Sequence, residues 1–170
     1  MKSFYTFREY MQQLDGVLTA TMEDYLEMTY RLCQKCGYTR IHELSAALNV
    51  QPPAATKMVQ KLAELGLLNY EKYGLIILND RGTTAGAALL ARHNTIERLL
   101  RTLGVKEEDI LAETERVEHT LSDNTIAQLD LFLDFWQSRP DLDCHYRSFA
   151  QHRQNGASPA SGTPALNEDE

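Results

Sequence analysis

Residues 41–62 read Ile41-His42-Glu43-Leu44-Ser45-Ala46-Ala47-Leu48-Asn49-Val50-Gln51-Pro52-Pro53-Ala54-Ala55-Thr56-Lys57-Met58-Val59-Gln60-Lys61-Leu62, and their pattern decides the fold. Ile41, Leu44 and Leu48 recur at helical spacing, which predicts a short helix with one inward side. Val50-Gln51-Pro52 makes a tight connection. Pro53 then suits the first turn of a second helix running to Leu65, and Gly66 is placed to end it. Met58, Val59, Leu62 and Leu65 form the buried stripe of that second helix. Two short helices joined by a brief turn are a helix-turn-helix, and the second helix is the one shaped to enter a DNA groove.

Toward the C-terminus the period changes. Leu67-Leu68-Asn69-Tyr70-Glu71 and Leu75-Ile76-Ile77-Leu78 flank Lys72-Tyr73-Gly74, which predicts a β-hairpin, and a hairpin directly after a helix-turn-helix is a wing. Lys57, Lys61, Lys72 and Arg81 fall on or near the surface this unit presents. Lysines there suit phosphates, while Ala55 and Thr56 suit base edges such as a thymine methyl. The alternative is a helical protein-interaction module with ordinary surface lysines. Toward the N-terminus, a helix over residues 21–37, capped at Thr21, turns Tyr25, Met28 and Leu32 inward. Asp24 and Glu27 share one of its faces. As first-turn acids they also complement the helix dipole, and Glu27 can pair with Arg31 at i+4. A short amphipathic helix is expected over residues 4–14, carrying Phe4, Phe7, Met11 and Leu14.

Beyond the hairpin, Asp80 is expected to cap a long helix through Leu103, with Leu89, Ile96, Leu99, Leu100 and Leu103 on its apolar side. His93 sits between Leu89 and Ile96, where a histidine is ordinarily part of the core. Residues 111–121 read Leu-Ala-Glu-Thr-Glu-Arg-Val-Glu-His-Thr-Leu. If helical, this stretch projects Glu115, Glu118 and His119 from one face at i, i+3 and i+4. Two carboxylates and an imidazole are hard oxygen and nitrogen donors suited to a metal, and a solvated acidic face is the plainer alternative. Ser122 caps a last helix carrying Ile126, Leu129, Leu133 and Trp136. Apolar helices beyond what a winged unit needs suggest dimerisation, since paired half-sites need paired recognition helices. Residues 141–170 read as a largely disordered tail.

With 170 residues, 43% apolar, the chain suits one domain or two small ones. The net charge of −7 hides a division. Residues 40–101 hold eight Lys/Arg against five acids, a balance of +3, whereas residues 102–137 hold two against nine, a balance of −7. A basic segment that meets something anionic and an acidic segment with another task follow from this split. No apolar run suggests a membrane span and the first residues lack a signal peptide's apolar stretch, so a cytoplasmic protein is expected. Three cysteines argue against a disulfide scaffold. Cys33 and Cys36 form a lone Cys-x-x-Cys whose only candidate zinc partners are Cys144 and His145. Neither His-Glu-x-x-His nor a Glu with a His three residues on is present, which speaks against a metalloenzyme and a small-molecule substrate.

Five separated segments carry a family resemblance: Met22-Glu23-Asp24-Tyr25-Leu26-Glu27, Thr56-Lys57-Met58-Val59-Gln60-Lys61-Leu62, Tyr70-Glu71-Lys72-Tyr73, Arg92-His93 and Val117-Glu118-His119. In this order they resemble the diphtheria toxin repressor family of metal-dependent transcriptional regulators, and most nearly its manganese transport regulator branch, over residues 21–137. The resemblance implies a mainly α fold: an N-terminal winged helix-turn-helix (residues 21–80) after an N-terminal extension (1–20), then an all-helical metal-binding and dimerisation domain (81–140) and the tail (141–170). No SH3-like third domain, as in longer iron-responsive members, is expected. The implied metal ligands are Asp24, Glu27, His93, Glu115, Glu118 and His119. The implied DNA-binding residues are Pro53, Ala54, Ala55, Thr56, Lys57, Gln60, Lys61 and Lys72, although the branch often has Ser-Ser where Pro53-Ala54 stands. A carboxylate at both Asp24 and Glu115, where iron-responsive relatives typically carry Met and Cys, favours Mn²⁺, at one or two ions per subunit. Fe²⁺, Co²⁺, Zn²⁺ and Cd²⁺ are the alternatives. A homodimer on a palindromic DNA operator, repressing transcription, is the implied assembly. The competing functions are an iron- or zinc-responsive regulator of the same fold and a metal-independent winged-helix regulator. With neutral imidazoles the six ligands gather a charge of −4, so the metal-free site is expected to repel itself.

Overall fold

A computed structural model of the chain describes residues 18–71 and 74–154. The helix expected over residues 4–14, Lys72 and residues 155–170 lie outside them. The first helix, α1 (Ala20–Cys36), is capped by Thr19, whose hydroxyl accepts from the Met22 N–H at 3.3 Å. Thr21 was the expected cap, but the backbone is extended at Thr19, and its carbonyl already accepts from the Glu23 N–H. Gly37 ends α1 at φ 80°, a left-handed conformation that glycine adopts without cost.

Strand β1 (Thr39–Arg40) leads into α2 (Ile41–Ala47). The Glu43 carboxylate fixes this start by accepting from the Thr39 hydroxyl at 2.9 Å and the Arg40 N–H at 3.0 Å. Asn49 makes the turn at φ 52°, a conformation that Asn tolerates better than most residues. Helix α3 (Pro52–Glu64) follows with proline in its first turn, one residue earlier than the sequence suggests. Strands β2 (Leu68–Tyr70) and β3 (Leu75–Leu78) form the antiparallel wing. The sheet order is β1-β3-β2, so the central Ile76 faces Thr39 on one side and Tyr70 on the other. Two residues are too few for strand alternation to show in sequence, which is why β1 was not anticipated.

Helix α4 (Asp80–Thr102) is capped by Asn79 rather than Asp80. The Asn79 side chain accepts from the Gly82 N–H at 3.0 Å and donates to the Gly66 carbonyl at 2.8 Å, tying the helix start to the turn after α3. Helix α5 (Glu107–Val117) runs into a 3₁₀ turn (Glu118–Thr120), and α6 (Asp123–Gln137) starts as expected, with Ser122 accepting from the Thr125 N–H. The chain does not then fall into a loose tail: Pro140–Gln154 form α7. Its first turn carries Pro140, Asp141 and Asp143 and its last carries His152 and Arg153, so it matches the helix dipole at both ends. This distribution outweighs the polar composition that suggested disorder.

The chain divides into two compact units, one extending to Leu129 and one starting at Asp130. In the first, Tyr25, Leu26, Leu44, Ala55, Val59, Leu62, Leu67, Leu68, Ile76 and Leu89 form one apolar core. Helix α4 is built into this unit. A Cβ at Gly86 would lie 2.6 Å from Tyr30 Cβ, and one at Gly82 would lie 1.8 Å from the Leu67 carbonyl oxygen. Glycine therefore permits both close approaches, and the boundary expected at residue 80 is not a break in packing. In the second unit Trp136 meets Phe132 and the edge of Tyr146, and its indole N–H donates to Asp143. Leu131, Phe132, Phe135 and Phe149 remain exposed there.

Candidate metal centre and nucleic-acid face

The same helix that supplies Tyr25 and Leu26 to the apolar core turns Asp24 and Glu27 to another side. Glu27 is buried, as are His93 of α4 and Glu118 of the 3₁₀ turn, each below 9% exposed. His93 Nδ1 lies 2.9 Å from Glu118 Oε2, 3.9 Å from Glu27 Oε1 and 4.0 Å from Glu115 Oε1. A second group adjoins it: His119 Nε2 is 2.7 Å from Asp24 Oδ1 and 3.5 Å from Glu118 Oε1. Glu118 thus turns one carboxylate oxygen to each group. Ligand atoms of Asp24, Glu118 and His119 lie within 4.8 Å of one another, and so do those of Glu27, His93 and Glu118.

All six residues singled out from sequence converge, from four segments, but not equally. Glu115 belongs to neither close group, and its side chain is 50% exposed. Glu118 and His119 do not continue α5 as expected; the helix ends at Val117, and the 3₁₀ turn carries both. The cluster also holds compensating contacts that a count of its charges with neutral imidazoles leaves out. The His119 imidazole is pushed up to about 10 by its hydrogen bonds to Asp24 and Glu23. His93 is raised by its hydrogen bond to Glu118 against the opposing effect of burial. Both are therefore biased toward imidazolium and offset the carboxylates. Arg31 adds a further positive charge on Glu27, its Nε donating at 2.8 Å, as the i+4 spacing suggests. Burial, then the Glu118 charge, raises the Glu115 carboxyl.

Two contacts lie beyond the residues singled out from sequence. Glu23 accepts from His119 Nδ1 at 2.7 Å, and Glu97 lies 3.3 Å from His93 Nε2. The i+4 spacing of His93 and Glu97 on one helix is a usable signal for the second. Nothing local announces the first, which joins residues 96 apart in the chain. The donors are carboxylate oxygens and imidazole nitrogens, a set that fits a hard or borderline divalent cation. Sulfur is absent from the cluster: Cys33 is buried with its thiol directed at the Ile76 carbonyl, while Cys36 and Cys144 are exposed and unpaired.

The other face belongs to α3. Pro53, Ala54, Lys57, Gln60 and Lys61 are exposed along it, and Thr56 is half-buried with its hydroxyl donating to the Pro52 carbonyl. Ala55 is a correction. It is 0% exposed and belongs to the core, so its methyl cannot reach a base edge. Helical geometry puts Ala55, Val59 and Leu62 on one side at i, i+4 and i+7, the inward one.

A winged helix-turn-helix packed against helices that gather buried carboxylates and imidazoles defines a DNA-binding regulator with a metal-responsive centre. Residues 17–75 match the iron dependent repressor N-terminal DNA binding domain, and residues 79–146 match the iron dependent repressor metal binding and dimerisation domain. The chain is 41% identical over 119 residues to the HTH-type transcriptional regulator MntR of Geobacillus kaustophilus, covering 70% of this chain and 84% of that protein. Against MntR of Bacillus subtilis it is 37% identical over 140 residues, covering 80% and 99%. Among solved structures it resembles the manganese regulator SloR (TM-score 0.60, 30% identity, 69% of this chain) and ScaR with bound Zn²⁺ (TM-score 0.57, 36% identity, 67% of this chain). The chain spans just over half the length of those two, 55% and 54%. The protein belongs to the iron dependent repressor family, and it is a metal-dependent transcriptional regulator rather than an enzyme. Among the described residues no helix is long and apolar enough to cross a membrane.

Proposed function

We propose that this protein is a manganese-responsive repressor in which Asp24, Glu27, His93, Glu115, Glu118 and His119 hold divalent cations between the helix-turn-helix side and the C-terminal helices. The observation that carries this is the Glu118 carboxylate, whose two oxygens face two donor groups, each completed by a residue of α1. That arrangement supports two ions per subunit with a shared carboxylate. A cation bound there supplies positive charge and fixed coordination. The protein's part is to join α1, through Asp24 and Glu27, to α4 and the 3₁₀ turn. Restricting the recognition unit in this way lowers the freedom lost on meeting DNA, a coupling typically of ~1–3 kcal/mol. The oxygen-rich donor set favours Mn²⁺ over softer ions by kind of ligand. Zn²⁺, Fe²⁺, Co²⁺ or Cd²⁺ would also bind, since Mn²⁺ stands lowest in the divalent affinity order.

On the DNA side, Pro53, Ala54, Thr56, Lys57, Gln60 and Lys61 of α3 form the reading surface, and Lys72 is a further DNA contact on the grounds of sequence. The division of labour is a DNA-binding domain over residues 21–80 and a metal-binding and dimerisation domain over 81–140. A cytoplasmic homodimer on a palindromic operator follows, and the exposed Leu131, Phe132 and Phe135 of α6 are apolar surface of the kind that pairing covers. The decisive experiment is operator binding by the metal-free protein, titrated with Mn²⁺, Fe²⁺ and Zn²⁺ in turn. Mn²⁺ should tighten binding roughly 5- to 150-fold. Operator affinity indifferent to every metal would leave a metal-independent winged-helix regulator.

A further inference from the structure

Glu23 stands beside the cluster but outside both close donor groups. By position it is an ordinary first-turn acid that complements the dipole of α1. Its carboxylate nevertheless crosses to the other segment of the site, with Oε2 2.7 Å from Nδ1 of His119. A carboxylate at that distance accepts a hydrogen bond from Nδ1–H, and because Glu23 lies outside both donor groups, Nδ1 can keep that proton when a cation takes the other nitrogen. The opposite nitrogen, Nε2, then faces Asp24 at 2.7 Å and Glu118 at 3.5 Å. Glu23 is itself held: Arg92 Nη1 lies 3.7 Å from the same Oε2, and the other terminal nitrogen of Arg92 pairs with Asp123. The side chains of Glu23, Arg92 and His119 are only 21%, 18% and 15% exposed, so solvent competes weakly for these contacts.

We infer that Glu23 is a positioning residue of the metal centre, holding the Nδ1–H of His119 so that Nε2 is presented to a cation shared with Asp24 and Glu118. The inference rests on the reading above that this cluster binds a divalent cation. An imidazole has two nitrogens and can offer either. An acceptor fixed behind one of them selects the tautomer, sets the ring's orientation and makes the other nitrogen a better ligand. Glu23 and Asp24 are neighbours on α1, so one turn of helix supplies both the outer contact to His119 and the inner one. Arg92 and Asp123 extend the same line to α4 and the start of α6.

The test uses the metal-free full chain and three proteins: wild type, Glu23→Ala and Glu23→Gln. Calorimetric titration with Mn²⁺ measures affinity, and imidazole ¹⁵N spectra of the Zn²⁺-loaded proteins report which nitrogen of His119 is protonated. Glu23→Ala should weaken Mn²⁺ binding about 10- to 100-fold, the usual loss for such outer partners. Glu23→Gln keeps an acceptor oxygen for Nδ1–H and should lose less. In the wild type Nδ1 should be protonated and Nε2 metal-bound. Equal affinity in wild type and Glu23→Ala, equal losses in both variants, or a metal-bound Nδ1 each overturns the inference. If Glu23→Ala does not fold, the spectra of the wild type and Glu23→Gln decide. A wild type that binds no Mn²⁺ sinks the metal-centre reading itself, whereas a wild type that binds it with indifferent variants sinks only the role of Glu23.

Discussion

Leu26 and Glu27 are consecutive residues of α1, and both are buried, at 0% and 7% exposure, yet they belong to different structures. Leu26 packs with Leu44, Val59, Leu62 and Ile76 into a core that needs nothing from outside the chain. Glu27 lies among His93, Glu118 and Arg31, where charges are balanced by other charges rather than removed. One face of the helix therefore supports the fold, and the other holds a cluster that a cation can enter. The two should be separable by experiment, because apolar burial carries stability whether or not a metal is present.

The sharpest break in the comparison is Leu26→Ala. Removing three carbons' worth of packing from a fully buried site typically costs about 2–5 kcal/mol, part of it for the cavity left behind. Denaturant unfolding of the metal-free protein measures that loss. Mn²⁺ affinity of the molecules that remain folded should stay within a few-fold of wild type. A large drop in affinity would mean that the two faces of α1 are not independent.

Glu118→Gln is the next largest effect and acts in the opposite direction on the same two readouts. Its carboxylate serves both donor groups, so its loss should exceed the roughly 10- to 100-fold expected for an outer-shell partner. Calorimetry should show weakened binding of every Mn²⁺ the wild type takes up. One ion retained at wild-type affinity would show that Glu118 is not shared.

A pH series probes the charged face alone. His119 is held near 10 in the metal-free fold, above its ordinary 6.5, and must give up the Nε2 proton to become a ligand. Mn²⁺ affinity should therefore rise with pH, by up to about tenfold per unit for each proton displaced. Calorimetry near neutral pH in buffers of different ionisation heat should find at least about one proton released. For the metal-free protein the sign reverses. The His119 pairing contributes stability that is fully present below 6.5 and lost as pH rises through about 10. A metal affinity independent of pH would remove the imidazolium from this account.

The same contrast explains what could be read in advance. The core face of α3 was legible because Val59 and Leu62 recur at helical spacing, and spacing is a local property. It failed only at Ala55, which shares the spacing of Val59 and Leu62 but whose small side chain was read as a base contact instead of as part of the core. Capping was legible in kind but shifted at Thr19 and Asn79, where a second polar residue stood nearby and only the backbone conformation chose between them. The ligand set was visible as residue types and family positions, although each of the six had an ordinary alternative as a first-turn acid, a core histidine or part of a solvated acidic face. Glu23 and its bond to His119 were not visible, since the contact is made by the packing of α1 against a distant turn. Helix α7 was missed because polar composition was weighed without the order of its charges.

Glu115 gives the smallest effect and the finest test. Sequence spacing treats it as the equal of Glu118 and His119, but its side chain is half-exposed and its nearest approach to His93 is 4.0 Å. A ligand in that position completes a coordination shell rather than founding it. Glu115→Gln should therefore weaken Mn²⁺ by less than about tenfold, well short of the loss expected for Glu118→Gln. Glu115→Cys separates affinity from selectivity, because a thiolate at the rim adds a soft donor to a set that otherwise has none. Its operator binding should respond more readily to Zn²⁺ or Co²⁺ relative to Mn²⁺, as read by parallel titrations with each ion. If Glu115→Gln instead lost as much as Glu118→Gln, Glu115 would have to swing inward on metal binding, and the two donor groups would be one larger site with Glu115 as a full member.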